Sequence, residues 1–515
     1  MKGNFIKLLH SFNLQFLGRM NPALTITSRF KFVTWFTFIV YFITALCGHI
    51  NFFIANFWGK TYFPLRSYLL TFDNSQIKNP KQIAENLYNL SGFKAVITTP
   101  VPYKIIDDIF FTLMVTALVI LFFVGYKIVQ SEKINHTEII KWSIVFSLLM
   151  TIAIPSHSSD LFGYMARGAQ QSLYHQNPYL ITVSEIKGYS SKPLFVNFMW
   201  PLHPATYGPV FIYLTKLIVS LSNNDFFLSF INFKLLNLTL FLILIFFVLK
   251  TNNTKDIYLI SWNPLILIHG LWNCHNDLLS GLLIFLGLYL IKNKSYFWSA
   301  FCLALAAGVK FVSLIILPVI FVYFFKKKHP RGAFLNLVLG ICSGIILIFI
   351  FSIDYLIPNQ HITSVNINRI IENIGLVHRS FISTIFATTK YFCYWQKIDC
   401  NHALVLTILK FFFYLTFSFF CIAMLLKRKQ NLIYDVVLIL LVFFSFTIAK
   451  FHSWYLLNFI ILIPLLEEGI LKNILITLSM THSYAITFIN QANILNFISM
   501  TLLPTLITIF KGKKK

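Results

Sequence analysis

Long apolar runs recur along the whole chain and restrict its fold more than any other feature. The sequence of 515 residues is 57% hydrophobic and only 11% charged. Each run is long enough to cross about 30 Å of hydrocarbon as a helix. Helices satisfy their own backbone hydrogen bonds in lipid, whereas open strands do not. We therefore predict an all-α polytopic membrane protein, a bundle of about 12–14 transmembrane helices.

The apolar runs also define the predicted spans and the polar stretches between them. Two irregular segments are expected: 208–222 dips into the membrane and returns, and 296–325 is two half-spans that meet at Lys310. The stretches 56–107, 156–207 and 356–402 are predicted to be outer loops, within one transmembrane domain, 1–510, that precedes a basic cytoplasmic tail, 511–515. The full spans are predicted at about 32–55, 109–128, 142–155, 230–249, 256–272, 276–292, 333–355, 403–426, 432–449, 452–466, 470–488 and 493–510.

Positive charge gives the orientation of the predicted spans. A net charge of +25 would indicate nucleic acid in a soluble protein. Here lysine and arginine concentrate in short loops between apolar runs, as the positive-inside rule requires, so we expect membrane lipids and no nucleic acid as partners. The loops 250–255, 292–294, 326–331 and 427–429 and the tail are predicted to lie inside. Some of this charge could also attract a phosphate-bearing substrate.

The stretch 156–180 concentrates the polar groups that the apolar runs lack. On a helix, Asp160, Tyr164, Arg167 and Gln171 recur at i, i+4, i+7 and i+11 and share one face. Such a polar stripe beside a membrane span can be the wall of an active site. It can equally be a helix that lies on lipid headgroups.

Acidic residues are scarce, so those in apolar context are functional candidates. Of 17 carboxylates, some fall in predicted inner loops, Asp256 and Glu468 among them, and others in outer stretches, where a solvated side chain is the default. Asp160, Asp277 and Asp435 are embedded in apolar runs, where an ionisable group is costly. We expect Asp435 to be interfacial. Asp277 follows His275 and Asn276 in a polar turn, which either faces the same cavity as Asp160 or merely caps a hairpin.

Cations and aromatic rings are predicted on the same outer face. Lys310 interrupts an apolar run and needs an anion, for which a phosphate would serve. Basic groups recur at His378, Arg379 and Lys450, and arginine in particular presents a fork suited to phosphate oxygens. His452, Trp454 and Tyr455 add rings that suit sugars, although aromatic belts at a bilayer surface are the common explanation.

One carboxylate among several cations suits group transfer from a phosphate-activated lipid. The carboxylate can deprotonate an acceptor hydroxyl, while the cations stabilise the charge of the leaving phosphate. The sequence contains neither a P-loop nor a GxGxxG motif. A lipid-borne sugar is therefore the expected donor, in preference to a nucleotide sugar.

An ordered set of motifs resembles the GT-C superfamily of integral-membrane glycosyltransferases. The motifs are SSDLFGYMARG, HQNPYL, TYGPV, Lys234, WNPLILI, CHNDLL, GVKF and KFHSWYLL, in order between about 142 and 466. The closest likeness is to polyprenyl-phosphate-mannose-dependent mannosyltransferases, in both the actinobacterial α-mannopyranosyltransferase group and the eukaryotic GPI mannosyltransferase I group. In one departure, Ser159 precedes Asp160, whereas many members carry two acidic residues there.

The resemblance implies a GT-C-like fold and roles for particular residues. Asp160 would be the catalytic base, acting on the outer, periplasmic or lumenal, face. The donor would be a polyprenyl-phosphate sugar, with mannose preferred, and the acceptor a glycan, lipid or glycolipid. The other roles are our own prediction from the residues: Lys310, Arg379, Lys450 and His378 bind the donor phosphate. The sugar and acceptor are predicted to contact His157, Tyr164, Arg167, Tyr207, His275, Asn276, Asp277, His452, Trp454 and Tyr455.

Several alternatives stay open at this stage. A flippase for lipid-linked sugars would use Asp160 and Lys310 as coupling charges, and the same fold could take a glucose, arabinose or galactose lipid. Asp160 and Asp277 could bracket a divalent cation, but carboxylates from two distant loops are a weak metal signal, so no cofactor is firmly implied. Cys393 and Cys400 could form a disulfide if their loop faces an oxidising compartment. The bacterial inner membrane is preferred over the endoplasmic reticulum.

Overall fold

The computed structural model confirms an all-α polytopic membrane protein. Its described residues contain helices and turns but no β-strand. They comprise 26–57, 101–131, 134–155, 158–189, 192–195, 198, 200–327, 329–356, 380–396, 398, 400–427, 431–484 and 497–512.

The helices follow one another with short connections over most of the chain. The α-helices are Ile26–Phe57, Val101–Ser131, His136–Ile152, Asp160–Ser172, Pro209–Leu221, Phe226–Leu249, Thr254–Ser261, Asp277–Lys292, Tyr296–Val309, Ile316–Lys326, Arg331–Leu356, Phe381–Trp395, His402–Leu426, Leu432–Val442, Leu457–Ile460, Ile470–Thr481 and Leu503–Gly512. Three π-helices, Ile266–Trp272, Phe443–Thr447 and Phe497–Leu502, and the 3₁₀-helices Val183–Glu185, Phe311–Ile315, Ser453–Leu456, Ile463–Leu465 and His482–Tyr484 complete the described set.

Five of these helices are long and apolar enough to cross a membrane alone. They contain Ser28–Cys47, Ile109–Ser131, Phe226–Leu249, Arg331–Tyr355 and His402–Leu426. A sixth candidate is a pair, Ile266–Trp272 and Asp277–Lys292, which bends by 115° at its break. Shorter apolar helices account for other predicted spans, and the total number of crossings stays a prediction.

Some predicted spans are interrupted where the sequence suggested a continuous helix. The span predicted at 256–272 ends at Ser261 and resumes as the π-helix Ile266–Trp272. Pro264 explains the break, because proline lacks an N–H and its ring clashes with the preceding turn. The span predicted at 452–466 is likewise divided among short helices. The break at Lys310 was predicted and is present, with extended backbone at φ −141° and ψ 122°.

The predicted loops are also partly helical. Residues 101–107 belong to the helix Val101–Ser131, so the first loop ends earlier than predicted. The loop 156–207 contains the helix Asp160–Ser172, and the loop 356–402 contains Phe381–Trp395. Residues 58–100, 357–379 and 513–515 lie outside the described residues.

Two acidic residues that were predicted in an inner loop and at the interface, Asp256 and Asp435, are buried. Asp256 is 3% exposed, and its carboxylate lies 2.7 Å from Lys472 Nζ, which also contacts Glu468 at 2.9 Å. Asp435 is buried as well and pairs with Lys427. Burial of a single charge is costly, so each carboxylate has a cationic partner. Sequence position indicated the loops but not these pairs.

The cysteine pair in the third polar stretch forms a disulfide. Cys393 and Cys400, with Cα atoms 6.2 Å apart, join the end of the Phe381–Trp395 helix to the start of His402–Leu426. Tyr394 and Trp395, beside the disulfide, are largely exposed. The sequence left open whether these two cysteines are paired, and in the structure they are.

Candidate active site

The helix Asp160–Ser172 carries the polar face that the sequence predicts, and it is buried inside the protein. Every residue from Leu161 to Gln171 is buried. It packs tightly on the helix Pro209–Leu221, because a Cβ at Gly168 would collide with the backbone oxygen of Thr215. A helix lying on lipid headgroups would expose one polar side. The headgroup interpretation is therefore wrong.

Asp160 is the first residue of this helix and of its polar face. Its N–H donates to Ser158 Oγ at 3.2 Å, and its Oδ2 lies 3.0 Å from His275 Nδ1. The side chain is 19% exposed, whereas that of His275 is fully buried. The helix N-terminus, with its unpaired N–H groups, favours a negative charge at this position.

The charge state of Asp160 follows from opposing influences. Burial raises the pKa of its carboxyl, but the hydrogen bond and charge of His275 and the charges of Lys310 and Lys450 outweigh burial. The net pKa of Asp160 is lowered, so the carboxylate is ionised at neutral pH. An ionised carboxylate that reaches the surface of a site can accept a proton.

A sharp turn between two helices supplies His275. The turn joins the π-helix that ends at Trp272 to the helix that begins at Asp277, and Cys274 within it has a left-handed φ of 55°. The backbone N–H of His275 donates to His269 O at 3.0 Å. Its ring stacks on Trp454 with centroids 4.0 Å apart and planes 9° from parallel.

Trp454 stacks on two imidazole rings. Besides His275 it stacks on His452, with centroids 4.4 Å apart and planes 12° from parallel. Trp454 and His452 both come from the KFHSWYLL segment, which is far from His275 in sequence. The segment and the turn, predicted separately as parts of one cavity, are therefore in direct contact.

Asp277 and Lys310 form a second charged pair in the same region. Lys310 Nζ lies 2.6 Å from Asp277 Oδ1, and Asn458 Nδ2 donates to the same oxygen at 2.6 Å. The ammonium also lies over the ring of Tyr455, 4.4 Å from its centroid. Sequence reasoning did not select Asn458. Its signal was a lone amide in an apolar segment just after KFHSWYLL.

Tyr164 and Arg167 of the polar face contact protein groups. The hydroxyl of Tyr164 accepts from the backbone N–H of Asn276 at 3.2 Å and lies 3.3 Å from Asn276 Oδ1. Arg167 donates to Gln170 Oε1 at 2.8 Å and to the backbone oxygen of His203. Burial lowers the pKa of Arg167 to about 10, which still leaves it charged at neutral pH.

Tyr207 and Lys450 border the same region. The ring of Tyr207 meets that of Tyr164 edge-on, with centroids 5.4 Å apart. Lys450 Nζ lies 5.7 Å from the centroid of Trp200. His157, His378 and Arg379 were also predicted site residues, and they lie outside the described residues.

Lys234, which the sequence marked only as part of a motif, is a buried support of the turn. It is 3% exposed. Its ammonium donates to the backbone oxygens of Met150, Leu271 and Trp272 at 3.3, 3.1 and 2.7 Å. These carbonyls belong to the last turns of two helices, His136–Ile152 and Ile266–Trp272, where oxygens lack intrahelical partners.

The described residues offer few ligands for a metal ion. They contain no group of three or more histidine, cysteine, aspartate or glutamate side chains that could hold one. Asp160 is engaged by His275, and Asp277 by Lys310 and Asn458. The pairing of both carboxylates with protein donors gives no support to the idea that they bracket a divalent cation.

Comparison with known proteins finds a family match over part of the chain. Residues 86–326 match the family model described as alpha-(1->6)-mannopyranosyltransferase, N-terminal domain. The matched range includes Asp160, Lys234, the turn at His275 and Lys310, but not the segment of Trp454. No curated protein matches the chain. Residues 86–326, just under half of the chain, are therefore similar to the N-terminal domain of this family, which supports the actinobacterial mannosyltransferase group of the GT-C superfamily and glycosyltransferase activity.

Proposed function

We propose that the protein transfers mannose from a polyprenyl-phosphate sugar to a hydroxyl group of a glycan, lipid or glycolipid on the outer face of the membrane. Asp160 is the general base. The observation that carries this proposal is the partly exposed Asp160 carboxylate, held by His275 in the field of Lys310 and Lys450. The family match supports mannose as the sugar, since its description names a mannopyranosyltransferase.

The proposed reaction is a single displacement at C1 of the donor sugar. Asp160 takes the proton of the acceptor hydroxyl, and the acceptor oxygen forms a bond to C1. The bond from C1 to the phosphate oxygen breaks, and its electron pair leaves with the polyprenyl phosphate. Lys310 and Lys450 stabilise the phosphate charge that develops. Asp277 is fully buried and paired, so among the described residues Asp160 has no second exposed carboxylate beside it to act as nucleophile, and we expect inversion at C1.

The aromatic residues around the charges support a sugar as the transferred group. Trp454 and Tyr455 are partly exposed and lie beside His452 and Lys310. Rings with a polar edge can pack on the apolar face of a sugar while leaving its hydroxyls free to donate. A lipid-borne donor also agrees with the lack of a nucleotide-binding loop in the sequence.

Two observations support an outer, periplasmic location of the site. Disulfides persist in oxidising compartments, and the Cys393–Cys400 disulfide lies at the end of the helix Phe381–Trp395. The N-cap of this helix, Ser380, donates to Ala449 O at 2.6 Å, next to Lys450. The opposite end of the following helix meets Lys326, which donates to Leu425 O at 2.5 Å. Basic residues favour the inner face. We propose the bacterial inner membrane as the location.

Thiol labelling of spheroplasts tests this orientation. We expect a membrane-impermeant maleimide to modify Cys393 and Cys400 after mild reduction, because their loop would face the periplasm. A cysteine introduced by Lys294→Cys, in a predicted inner loop, should react only after permeabilisation. The unmodified chain without reductant gives the background from its other cysteines. Labelling of Lys294→Cys in intact spheroplasts, with protection of the reduced pair, would reverse the proposed orientation.

A transfer assay tests the activity itself. Purified protein in lipid is given radiolabelled polyprenyl-phosphate mannose and a crude membrane extract as acceptor. We expect label to move into a new product, whose chemistry names the acceptor class. Glucose, arabinose and galactose lipids are tried in parallel, and transfer from one of these alone would replace mannose in the proposal. If no donor is consumed, the flippase becomes the better interpretation, and movement of the labelled lipid across vesicles should then be measured.

A further inference from the structure

We propose that the turn Asn273–Asp277 is a positioning element, which holds the base Asp160 through His275 and the donor cation Lys310 through Asp277. The inference rests on the proposed function, because it assigns supporting roles around the same reaction. The sequence-based expectation was that His275, Asn276 and Asp277 contact the sugar or acceptor. Burial and contacts favour a different division of roles.

Exposure separates the residues that can meet a substrate from those that support them. The side chains of Asp160 and Lys310 are 19% and 15% exposed, whereas those of His275 and Asp277 are fully buried. Asn276 is also buried. A substrate can therefore reach the carboxylate of Asp160 and the ammonium of Lys310 without rearrangement. It cannot reach His275, Asn276 or Asp277.

Among the described residues the imidazole of His275 has one hydrogen-bond partner, and that partner is the base. Its Nδ1 lies 3.0 Å from Asp160 Oδ2, while its buried Nε2 has no hydrogen-bond partner among the described residues. An ionised carboxylate accepts, so Nδ1 carries the proton. Stacking on Trp454 fixes the plane of the imidazole ring. The hydrogen bond from the backbone N–H of His275 to His269 O fixes the backbone. The imidazole thus directs one oxygen of Asp160 and leaves the other for the acceptor proton.

Asp277 acts in the same way on Lys310. Its Oδ1 accepts from both Lys310 Nζ and Asn458 Nδ2 at 2.6 Å. Lys310 lies in extended backbone between two helices, so its side chain depends on Asp277 and the ring of Tyr455 for its direction. One ammonium hydrogen is directed to Asp277 and the others stay available for phosphate oxygens.

The middle of the turn is tied to the helix of Asp160. The N–H of Asn276 donates to the Tyr164 hydroxyl, one turn of helix after Asp160. Three consecutive residues therefore fix the base, its helix and the donor cation relative to one another. Catalysis depends steeply on such geometry, since a displacement of about 1 Å can cost about 10²-fold in rate.

Variants at the two ends of the turn should affect different kinetic constants. We expect His275→Ala to lower kcat by about 10²-fold with little change in the KM for the donor. His275→Asn keeps an N–H donor near Nδ1 and should recover part of the loss. Asp277→Asn leaves Lys310 without its charged partner and should chiefly raise the donor KM.

The pH profile distinguishes positioning from a merely structural role. Charged or titratable groups around Asp160 are His275, Lys310, Lys450, Tyr164, Tyr207 and Tyr455. Burial raises the pKa of Asp160 and His275 lowers it, so His275→Ala should move the acid limb of kcat/KM to higher pH. His482→Ala is the matched control, because His482 is equally buried and contacts Ser453 and Thr501. It should lower the melting temperature without moving the acid limb.

A binding measurement separates this inference from the proposed activity. Polyprenyl phosphate without sugar is titrated against each purified variant, with thermal stabilisation as the readout. We expect weaker binding by Asp277→Asn and wild-type binding by His275→Ala. Equal binding by wild type and Asp277→Asn, or an unshifted acid limb in His275→Ala, overturns the inference. Binding without transfer from any donor refutes the proposed function alone, and failure of wild type to bind refutes both.

Discussion

Asp160→Asn is expected to reduce transfer by about 10²–10⁴-fold, the usual contribution of a positioned general base. Asparagine has the same shape as aspartate and can still accept a hydrogen bond from His275 through its side-chain oxygen. It has no charge and negligible basicity, so it cannot take the acceptor proton. The expected loss is therefore in kcat, with substrate binding largely retained.

The fold of this variant should survive. Asparagine is isosteric with aspartate, and the side chain of Asp160 is only partly buried. Asp225→Asn is the matched control: Asp225 caps the helix Phe226–Leu249 by accepting from Leu228 N at 2.8 Å, and asparagine caps equally well. We expect Asp225→Asn to be fully active. A well-expressed Asp160→Asn protein with wild-type rate would remove Asp160 from the proposal.

Sequence periodicity predicted the local structure around Asp160. The polar residues at i, i+4, i+7 and i+11 form one face of a real helix, and the apolar run around Lys310 is broken at that residue. These features depend on spacing of three to four residues or on one charged residue in an apolar segment. Both are visible in a sequence without any knowledge of the fold.

The pairing of side chains could not be predicted in the same way. Asp160 and His275 are 115 positions apart, and Asp277 and Asn458 are 181 apart. Nothing local links the members of such pairs, because their contact depends on how whole helices pack. The same reason explains why Asp256 and Lys472 were not recognised as a buried pair. Burial, which divides the site into exposed and supporting residues, is likewise a property of the packed bundle.

Lys234 is another residue whose buried contacts could not be predicted from the sequence. Its substitution gives the second large expected effect. A motif marked it as a basic residue ahead of a span, but its buried ammonium meets three carbonyl oxygens at the ends of two helices. Helix C-termini carry partial negative charge, which favours a cation there. The lysine thus compensates for the interrupted helix at Trp272, from which the turn with His275 and Asp277 begins.

Lys234→Met should therefore destabilise the protein and impair the site together. Methionine has similar length but no donor, so the three oxygens lose the ammonium, although Leu271 O keeps the weak donor Cys274 Sγ. The cost is about 1–3 kcal/mol for each oxygen that stays unsatisfied. We expect a lower melting temperature and a fall in kcat, because the turn that holds Asp160 and Lys310 is no longer anchored.

The matched control for Lys234→Met is Lys250→Met, at the exposed end of the same helix, where the ammonium lies over Phe246 and Phe247. This control loses the same charge without opening a buried site and should keep both stability and rate. If Lys234→Met matched the control in both measurements, the ammonium would not be anchoring the turn. If stability fell but the kcat of the folded fraction stayed at the wild-type value, Lys234 would support the bundle without positioning the catalytic groups. Only a loss of both agrees with a turn whose geometry is set by the interrupted helix before it.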